Sequence, residues 1–193
     1  AGRRLLDDPS ALIAWDGQLA ESGARVISDR MVALEDLKPR VGAFYETISS
    51  SGESLTLSYR GTAVAEGVES RVATLAETLR SKREDEVRVG HTLSGPHRDQ
   101  LVFEIDGRPV HQFGSKGQMK SALLSWKLAE AAYLEARVGS KPVLLMDDIF
   151  SELDATRARA VLELVDAFGQ VVLTTARDPD LALGERSFGR IEL

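Results

Sequence analysis

Residues 143–154 read VLLMDDIFSELD, a segment that indicates the class of fold. Its first four residues form a continuous apolar run, as expected of a strand buried on both faces of a parallel sheet. Asp147 and Asp148 follow at once, and a helix should run from about Asp154 to a second apolar strand at 171–173. Strand, crossover helix and strand form the unit of a parallel α/β sheet, with functional residues at the carboxyl strand ends.

The two adjacent carboxylates suggest a metal-linked site. Mg²⁺ is bound through oxygen ligands, and a second carboxylate can orient an attacking water. A polar strand end that faces solvent would have the same two residues. The interpretation of Asp147 and Asp148 therefore depends on the motifs around them.

Residues 114–118 read GSKGQ and open the most strongly patterned helix. Ser115 is the expected N-cap, Gly117 would let a phosphate approach the backbone, and the helix N-terminus attracts anions. An ordinary capped helix is the alternative, and Lys120 could either add charge towards an anion or be exposed. Gly139 should end the helix. The predicted apolar face consists of Met119, Ala122, Leu123, Trp126, Tyr133 and, on a flank, Ala129.

The polar segment Ser151-Glu152-Leu153-Asp154 follows the acidic pair. Asp154 is suited to cap the next helix, and plain capping would explain this segment without any further role. The order of the three features is more informative than any one of them: an anion-binding helix start, an apolar strand that ends in two aspartates, then this segment.

The part before residue 86 is predicted to be a mostly helical lobe, and residues 86–193 an α/β subdomain. In the lobe, the first helical region should loosen near Gly23 and stop at Pro39. The predicted elements are helices over 9–38, 41–48, 68–83 and 154–168, strands over 55–59, 87–93 and 101–105, and a tight turn over 106–109.

Composition excludes several classes of protein. The net charge of −6 argues against indiscriminate coating of nucleic acid, and the absence of cysteine excludes disulfides and thiolate metal sites. No stretch approaches the roughly 20 apolar residues of a membrane span, and the first residues lack a signal-peptide core, so we expect a cytoplasmic protein without membrane contact. His91 and His111 lack partners at metal-ligand spacing and should be structural.

The ordered set of motifs resembles the ATP-binding-cassette superfamily. Residues 114–118 match its signature, 144–148 its Walker B strand and 151–154 its D-loop. The resemblance implies ATP and Mg²⁺ as cofactors, and a head-to-tail homodimer in which the signature binds ATP held by the opposite subunit. The implied roles are ATP binding in trans by Ser115, Lys116, Gly117 and Gln118, Mg²⁺ at Asp147, catalysis at Asp148, and D-loop contacts by Ser151 and Asp154.

Within the superfamily the chain resembles the RecF branch. Residues 93–99 read LSGPHRD, similar to its Gly-Pro-His-Arg stretch, and RecF proteins also have Asp-Asp at the strand end. This resemblance implies ATP-dependent DNA binding near single-strand gaps and duplex junctions, and cooperation with RecO and RecR in loading a recombinase. His97 and Arg98 could contact nucleotide, couple the two lobes, or stabilise a turn.

The chain departs from the superfamily pattern in two places. No Gly-x-x-x-x-Gly-Lys-Ser/Thr phosphate loop occurs in it, so the resemblance implies a C-terminal fragment that is inactive alone. Thr175 stands where many relatives have a γ-phosphate-contacting histidine, and its hydroxyl could substitute. Two alternatives stay open: the C-terminal head of an SMC-like or RecN-like ATPase, against which the lack of sustained heptads counts, and a non-enzymatic interaction module.

Overall fold

The computed structural model describes residues 9–175 and Gly189. A long helical region comes first, and a strand, a helix and a strand come last. The elements are α1 (Pro9–Ser49), β1 (Leu55–Arg60), α2 (Val68–Val89), β2 (Gln100–Ile105), β3 (Arg108–Pro109), α3 (Val110–Phe113), α4 (Lys116–Val138), β4 (Leu144–Met146), α5 (Ala155–Val165) and β5 (Val171–Leu173).

The first helical region is one helix of 41 residues, so the predicted breaks near Gly23 and Pro39 are wrong. Gly23 serves close packing, because a β-carbon there would lie 2.8 Å from Cδ2 of Leu75 in α2. Pro39 removes one N–H donor from the helix interior. Leu37 and Val41 on either side of it are buried, and this packing keeps the helix continuous.

α2 is longer than predicted, and the strand expected over 87–93 is wrong. Gly90 ends the helix in a left-handed conformation with φ of 78°, and its N–H donates to the carbonyl of Glu86 at 2.8 Å. The Glu86 side chain in turn accepts from the N–H of Leu93 at 2.7 Å. The valines of this segment favour a strand locally, but helical hydrogen bonds and the end cap override that preference.

The first sheet has three strands in the order β1, β2, β3. β2 and β3 are antiparallel, with Glu104 opposite Pro109 and Ile105 opposite Arg108. Asp106 and Gly107 connect them with positive φ values of 49° and 77°. A two-residue hairpin turn with positive φ at both positions matches the twist of its strands. The tight turn is therefore present, but it covers 106–107, because Arg108 and Pro109 of the predicted turn form β3.

α4 has the predicted boundaries but not the predicted buried face. Ser115 caps its start and Gly139 ends it in a left-handed conformation. Met119 and Leu123 are exposed, whereas Ala122 and Ala129 are buried as predicted. Hydrophobicity in this helix is spread around its circumference, so small and hydroxyl side chains also face the core. The buried residues are Ser121, Ala122, Leu124, Ser125, Leu128, Ala129 and Ala131.

The second sheet is the parallel pair of β4 and β5, with Leu144, Leu145 and Met146 opposite Val171, Val172 and Leu173. α5 is the crossover helix, as the sequence predicts. β4 is not buried on both faces, because Leu145 is 77% exposed. Both faces of a parallel strand are covered only where layers of structure lie on each side. Within the described part of the chain, β4 pairs with β5 only.

The largest core cluster surrounds this parallel pair. Its buried side chains come from α4, β4, the segment after β4 and α5, joined by Ile48 at the end of α1. Burial of these side chains is the main source of stability for the part that carries the acidic strand end. The cluster includes Leu124, Leu128, Met146, Ile149, Phe150, Leu153, Val161, Leu162 and Val165.

The chain separates into two compact units, each built from two stretches. One unit contains the described residues up to Glu35 together with Ser58–Val102, and it has a second core cluster with Ile27, Leu75 and Leu79. The other contains Asp36–Leu57 and the described residues from Phe103 on. The predicted division into 1–85 and 86–193 stays a prediction. Among the described residues, no helix is long and apolar enough to cross a bilayer.

Candidate functional site

The two predicted carboxylates lie at the carboxyl end of β4, where the chain turns sharply. Asp148 has φ of 44°, a left-handed conformation that aspartate tolerates better than most residues. Its N–H donates to the carbonyl oxygen of Thr174 at 3.1 Å and also to Thr174 Oγ1 at 3.1 Å. Thr174 Oγ1 donates its hydrogen to Oδ1 of Asp147. The residue after β5 therefore contacts both aspartates.

The carbonyl oxygen of Asp148 accepts two hydrogen bonds, one from α4 and one from the predicted D-loop. Lys120 Nζ donates to it at 2.9 Å, and Ser151 Oγ donates to it at 3.1 Å. Lys120 is half-buried, so in this structure its ammonium group contacts the acidic strand end and is not simply exposed. The signature-like helix α4 and the acidic strand end are thereby joined by a charged hydrogen bond.

The start of α4 is a complete capping box. The N–H of Gln118 donates to Ser115 Oγ at 3.2 Å, and the N–H of Ser115 donates to Gln118 Oε1 at 2.8 Å. Helical bonding begins with the N–H of Met119, which donates to the carbonyl of Ser115. The backbone N–H groups of Lys116 and Gly117 therefore lie in the first turn of α4, where neither the helical hydrogen bonds nor the capping box supplies an acceptor.

The predicted D-loop packs beside this helix start. A β-carbon at Gly117 would lie 3.4 Å from the carbonyl oxygen of Glu152, so glycine admits the loop closely. Asp154 caps α5 by accepting from the N–H of Arg157 at 2.9 Å. The Arg157 side chain also donates to Ser121 Oγ of α4 at 2.9 Å. Residues 114–118 and 151–154 are therefore neighbours in one compact unit.

One carboxylate that the sequence analysis did not single out, that of Glu53, contacts a residue of the capping box. Glu53, between α1 and β1, accepts from Gln118 Nε2 at 2.7 Å and from Tyr45 Oη at 3.1 Å. The Gln118 amide is thus oriented from both ends, with its oxygen towards Ser115 and its nitrogen towards Glu53. Burial acts to raise the pKa of Glu53, but hydrogen bonds from Ser51, Gln118 and Tyr45 and the charge of Arg157 together lower it.

The depressed pKa of Glu53 predicts a pH-dependent contribution to stability. A carboxyl whose pKa is lower in the folded state than in the unfolded state stabilises the fold at pH values above its unfolded pKa, which is about 4.3 for glutamate. This contribution is lost as the pH falls through the folded pKa. Urea unfolding should show that Glu53→Gln is less stable than the parent chain near neutral pH and that the difference shrinks in acid. Glu163→Gln, at an exposed position of α5, is the control. Parallel stability curves for parent and Glu53→Gln would contradict the prediction.

The remaining predicted residues are His97, Arg98 and Thr175. His97 Nε2 and Arg98 contact the same acceptor, the carbonyl oxygen of Thr92, at 3.3 Å for His97 and at 3.3 and 3.2 Å for Arg98. These contacts favour a turn-stabilising role for both. Thr175 is half-buried beside the aspartates' partner Thr174. Its contact with a γ-phosphate stays a prediction.

The residues of the strand end fit ATP with Mg²⁺. Asp147 is exposed, and the bond from Thr174 occupies one of about four lone-pair sites on its carboxylate. Accepting a bond from Gln118 does not use the hydroxyl hydrogen of Ser115, which can still be donated to an anion. The described residues contain no group of three or more histidine, cysteine or acidic side chains that could hold a metal.

Two residues of this site, Thr174 and Glu53, were missed by sequence reasoning. The register of the parallel pair could have pointed to Thr174, since the residue after β5 lies beside the residues after β4. No comparable signal exists for Glu53, which is 65 positions from Gln118.

Curated relatives match most of the chain, although no protein-family model does. The DNA replication and repair protein RecF of Roseiflexus castenholzii is 40% identical over 189 residues, covering 93% of this chain and 47% of that protein. The RecF proteins of Geobacter sulfurreducens and Moorella thermoacetica are 38% and 44% identical, covering 91% and 83% of this chain and 51% and 42% of their own lengths. The chain therefore spans about half the length of the curated relatives it matches.

Two solved structures of the recombination mediator protein RecF in the RecFOR pathway have the same fold. One, described as RecF-ATPrS, aligns with a TM-score of 0.76 at 30% identity and covers 91% of this chain and 48% of that chain. The other, described as RecF-ATP, aligns with a TM-score of 0.72 at 33% identity and covers 87% and 45%.

The fold and the site together define the α/β part of an ATP-binding-cassette-type ATPase head, preceded by a mostly helical region. The similarity to known relatives identifies the family within this class. The chain belongs to the RecF family of DNA replication and repair proteins, as the sequence motifs predict.

Proposed function

We propose that this chain is one half of an ATP-dependent DNA-binding protein that dimerises on ATP and hydrolyses it slowly. The observation that carries the proposal is the acidic strand end, where Asp147 and Asp148 follow a parallel strand and Asp148 has a left-handed backbone conformation. Carboxyl strand ends are where α/β folds bind their ligands. The relatives described as RecF-ATP and RecF-ATPrS support nucleotide as that ligand.

Each motif has a distinct role in this proposal. Asp147 holds Mg²⁺ together with the nucleotide, and Asp148 orients the attacking water. Ser115, Lys116, Gly117 and Gln118 bind the γ-phosphate of ATP held by the opposite subunit. A helix N-terminus with a capped first turn is suited to this, because its N–H groups and dipole favour a negative charge. Ser151 and Asp154, in the D-loop, shape the same interface.

The phosphate loop would be supplied by the other half of a full-length protein. An exposed apolar groove of about 340 Å³ between α4 and β4 supports this proposal. Leu123, Val143 and Leu145 line it and are 55%, 54% and 77% exposed. Exposed apolar surface of this kind marks a place where more structure packs. We place the half that carries the phosphate loop there.

The biological role follows from the family. The relatives are DNA replication and repair proteins, and the solved ones belong to the RecFOR pathway. We propose that the full-length dimer binds DNA at single-strand gaps and duplex junctions, and that it acts with RecO and RecR to load a recombinase. The net charge of −6 gives this chain no overall attraction to phosphate, so DNA binding by the full-length dimer should depend on local basic surface.

Calorimetric titration tests whether ATP binding requires the half of the protein that carries the phosphate loop. The 193-residue chain should show no appreciable binding of ATP with Mg²⁺, because the phosphate cradle is absent from its sequence. A full-length protein with the phosphate loop should bind ATP and sediment as a dimer with a non-hydrolysable analogue. A micromolar Kd for the 193-residue chain would contradict the proposal.

A further inference from the structure

The hydroxyl of Thr174 contacts both members of the acidic pair in different ways. It donates its hydrogen to the side chain of Asp147 and accepts the backbone N–H of Asp148 at 3.1 Å. A threonine hydroxyl has one hydrogen and two lone pairs, so these two bonds are compatible. The N–H of Thr174 donates to the carbonyl of Met146 at 3.0 Å, which fixes the threonine in register with the end of β4.

The backbone of Asp148 depends on these contacts because its conformation is unfavourable for a residue with a side chain. Its φ of 44° lies in the left-handed region. The N–H is held by Thr174, and the carbonyl oxygen by Lys120 at 2.9 Å and Ser151 at 3.1 Å. Surrounding contacts are what maintain such a residue at a functional site.

We propose that Thr174 is a positioning residue for ATP hydrolysis, acting through both aspartates. Its hydroxyl orients the Asp147 carboxylate for the metal-linked nucleotide and holds the turn that presents Asp148 to the water. This inference rests on the proposed function. It concerns the hydroxyl, since Thr174 is exposed.

The test compares Thr174→Val with Thr174→Ser in the full-length protein. Valine has the shape of threonine without the hydroxyl, and serine keeps the hydroxyl. Loss of one hydrogen bond to a charged group corresponds to a decrease of about 10- to 100-fold in a rate or equilibrium constant. We expect a decrease of this size in the rate of single-turnover hydrolysis by the valine variant. The Mg²⁺ concentration needed for half-maximal ATP-induced dimerisation should rise several-fold. Serine should restore both quantities to within about 3-fold of the parent protein.

Thr74→Val is the matched control, because the Thr74 hydroxyl bonds only within α2, to the carbonyl of Ser70 at 2.8 Å. A Thr174→Val protein with parental rate and Mg²⁺ requirement overturns the proposal, and so does a Thr174→Ser protein as impaired as the valine variant. Asp148→Asn, measured in parallel, separates the two hypotheses. If the parent protein does not hydrolyse ATP, the proposed function fails; if it does, and Asp148→Asn is inactive while Thr174→Val is normal, only the role of Thr174 fails.

Discussion

Replacing Asp148 with asparagine in the full-length protein is expected to reduce single-turnover ATP hydrolysis by about 10²- to 10⁴-fold, the usual contribution of a general base. The amide has nearly the shape of the carboxylate but lacks a basic oxygen. The backbone contacts of Asp148, made to Thr174, Lys120 and Ser151, do not involve the side chain and should survive. ATP binding and dimerisation should therefore persist, and the variant should stay on DNA longer than the parent protein.

The Asp147→Asn variant is expected to behave differently from Asp148→Asn. Its carboxylate accepts a hydrogen bond from Thr174 and is assigned to the metal-linked nucleotide, so this variant should lose both Mg²⁺-dependent dimerisation and turnover. Rapid-quench hydrolysis and DNA residence times for both variants give the comparison. An Asp148→Asn protein that hydrolyses ATP at the parental rate would remove Asp148 from the chemistry and leave Asp147 as the only functional member of the pair.

Replacing Ser115 with arginine should abolish ATP-induced dimerisation while leaving nucleotide affinity at the phosphate loop nearly unchanged. The substitution removes the acceptor for the Gln118 N–H and places a long side chain over the first turn of α4. Loss of an N-cap costs about 1 kcal/mol, which is too little to unfold a helix whose other face is buried in the core. The effect on dimerisation would thus report on the anion site and not on folding.

Sedimentation with a non-hydrolysable ATP analogue measures this outcome. Ser140→Arg is the matched control, since Ser140 is an exposed residue just past the opposite end of α4. Ser115→Ala, which removes only the hydroxyl, should weaken the dimer without abolishing it. Normal dimerisation of Ser115→Arg would show that residues 114–118 are a plain helix cap, and the signature assignment would be wrong.

Short-range patterns predicted the parts of the fold that depend on neighbouring residues. The boundaries of α4 follow from a capping serine and a terminal glycine, and the β2–β3 turn follows from Asp106-Gly107. The two-valine segment that ends α2 misled this reasoning, because its strand preference is weaker than the helical bonds that continue to Gly90.

The order of motifs along the chain was enough to identify the acidic strand end, the capped start of α4 and the family, because a parallel strand–helix–strand unit places polar residues at one sheet edge. Side-chain contacts between distant segments required the folded chain. Thr174 meets the aspartates only because β5 pairs in register with β4, and Glu53 meets Gln118 only because the α1–β1 connection lies beside α4. Periodicity carries no information on such pairs, since a hydrogen bond depends on distance and angle in space and not on spacing in sequence.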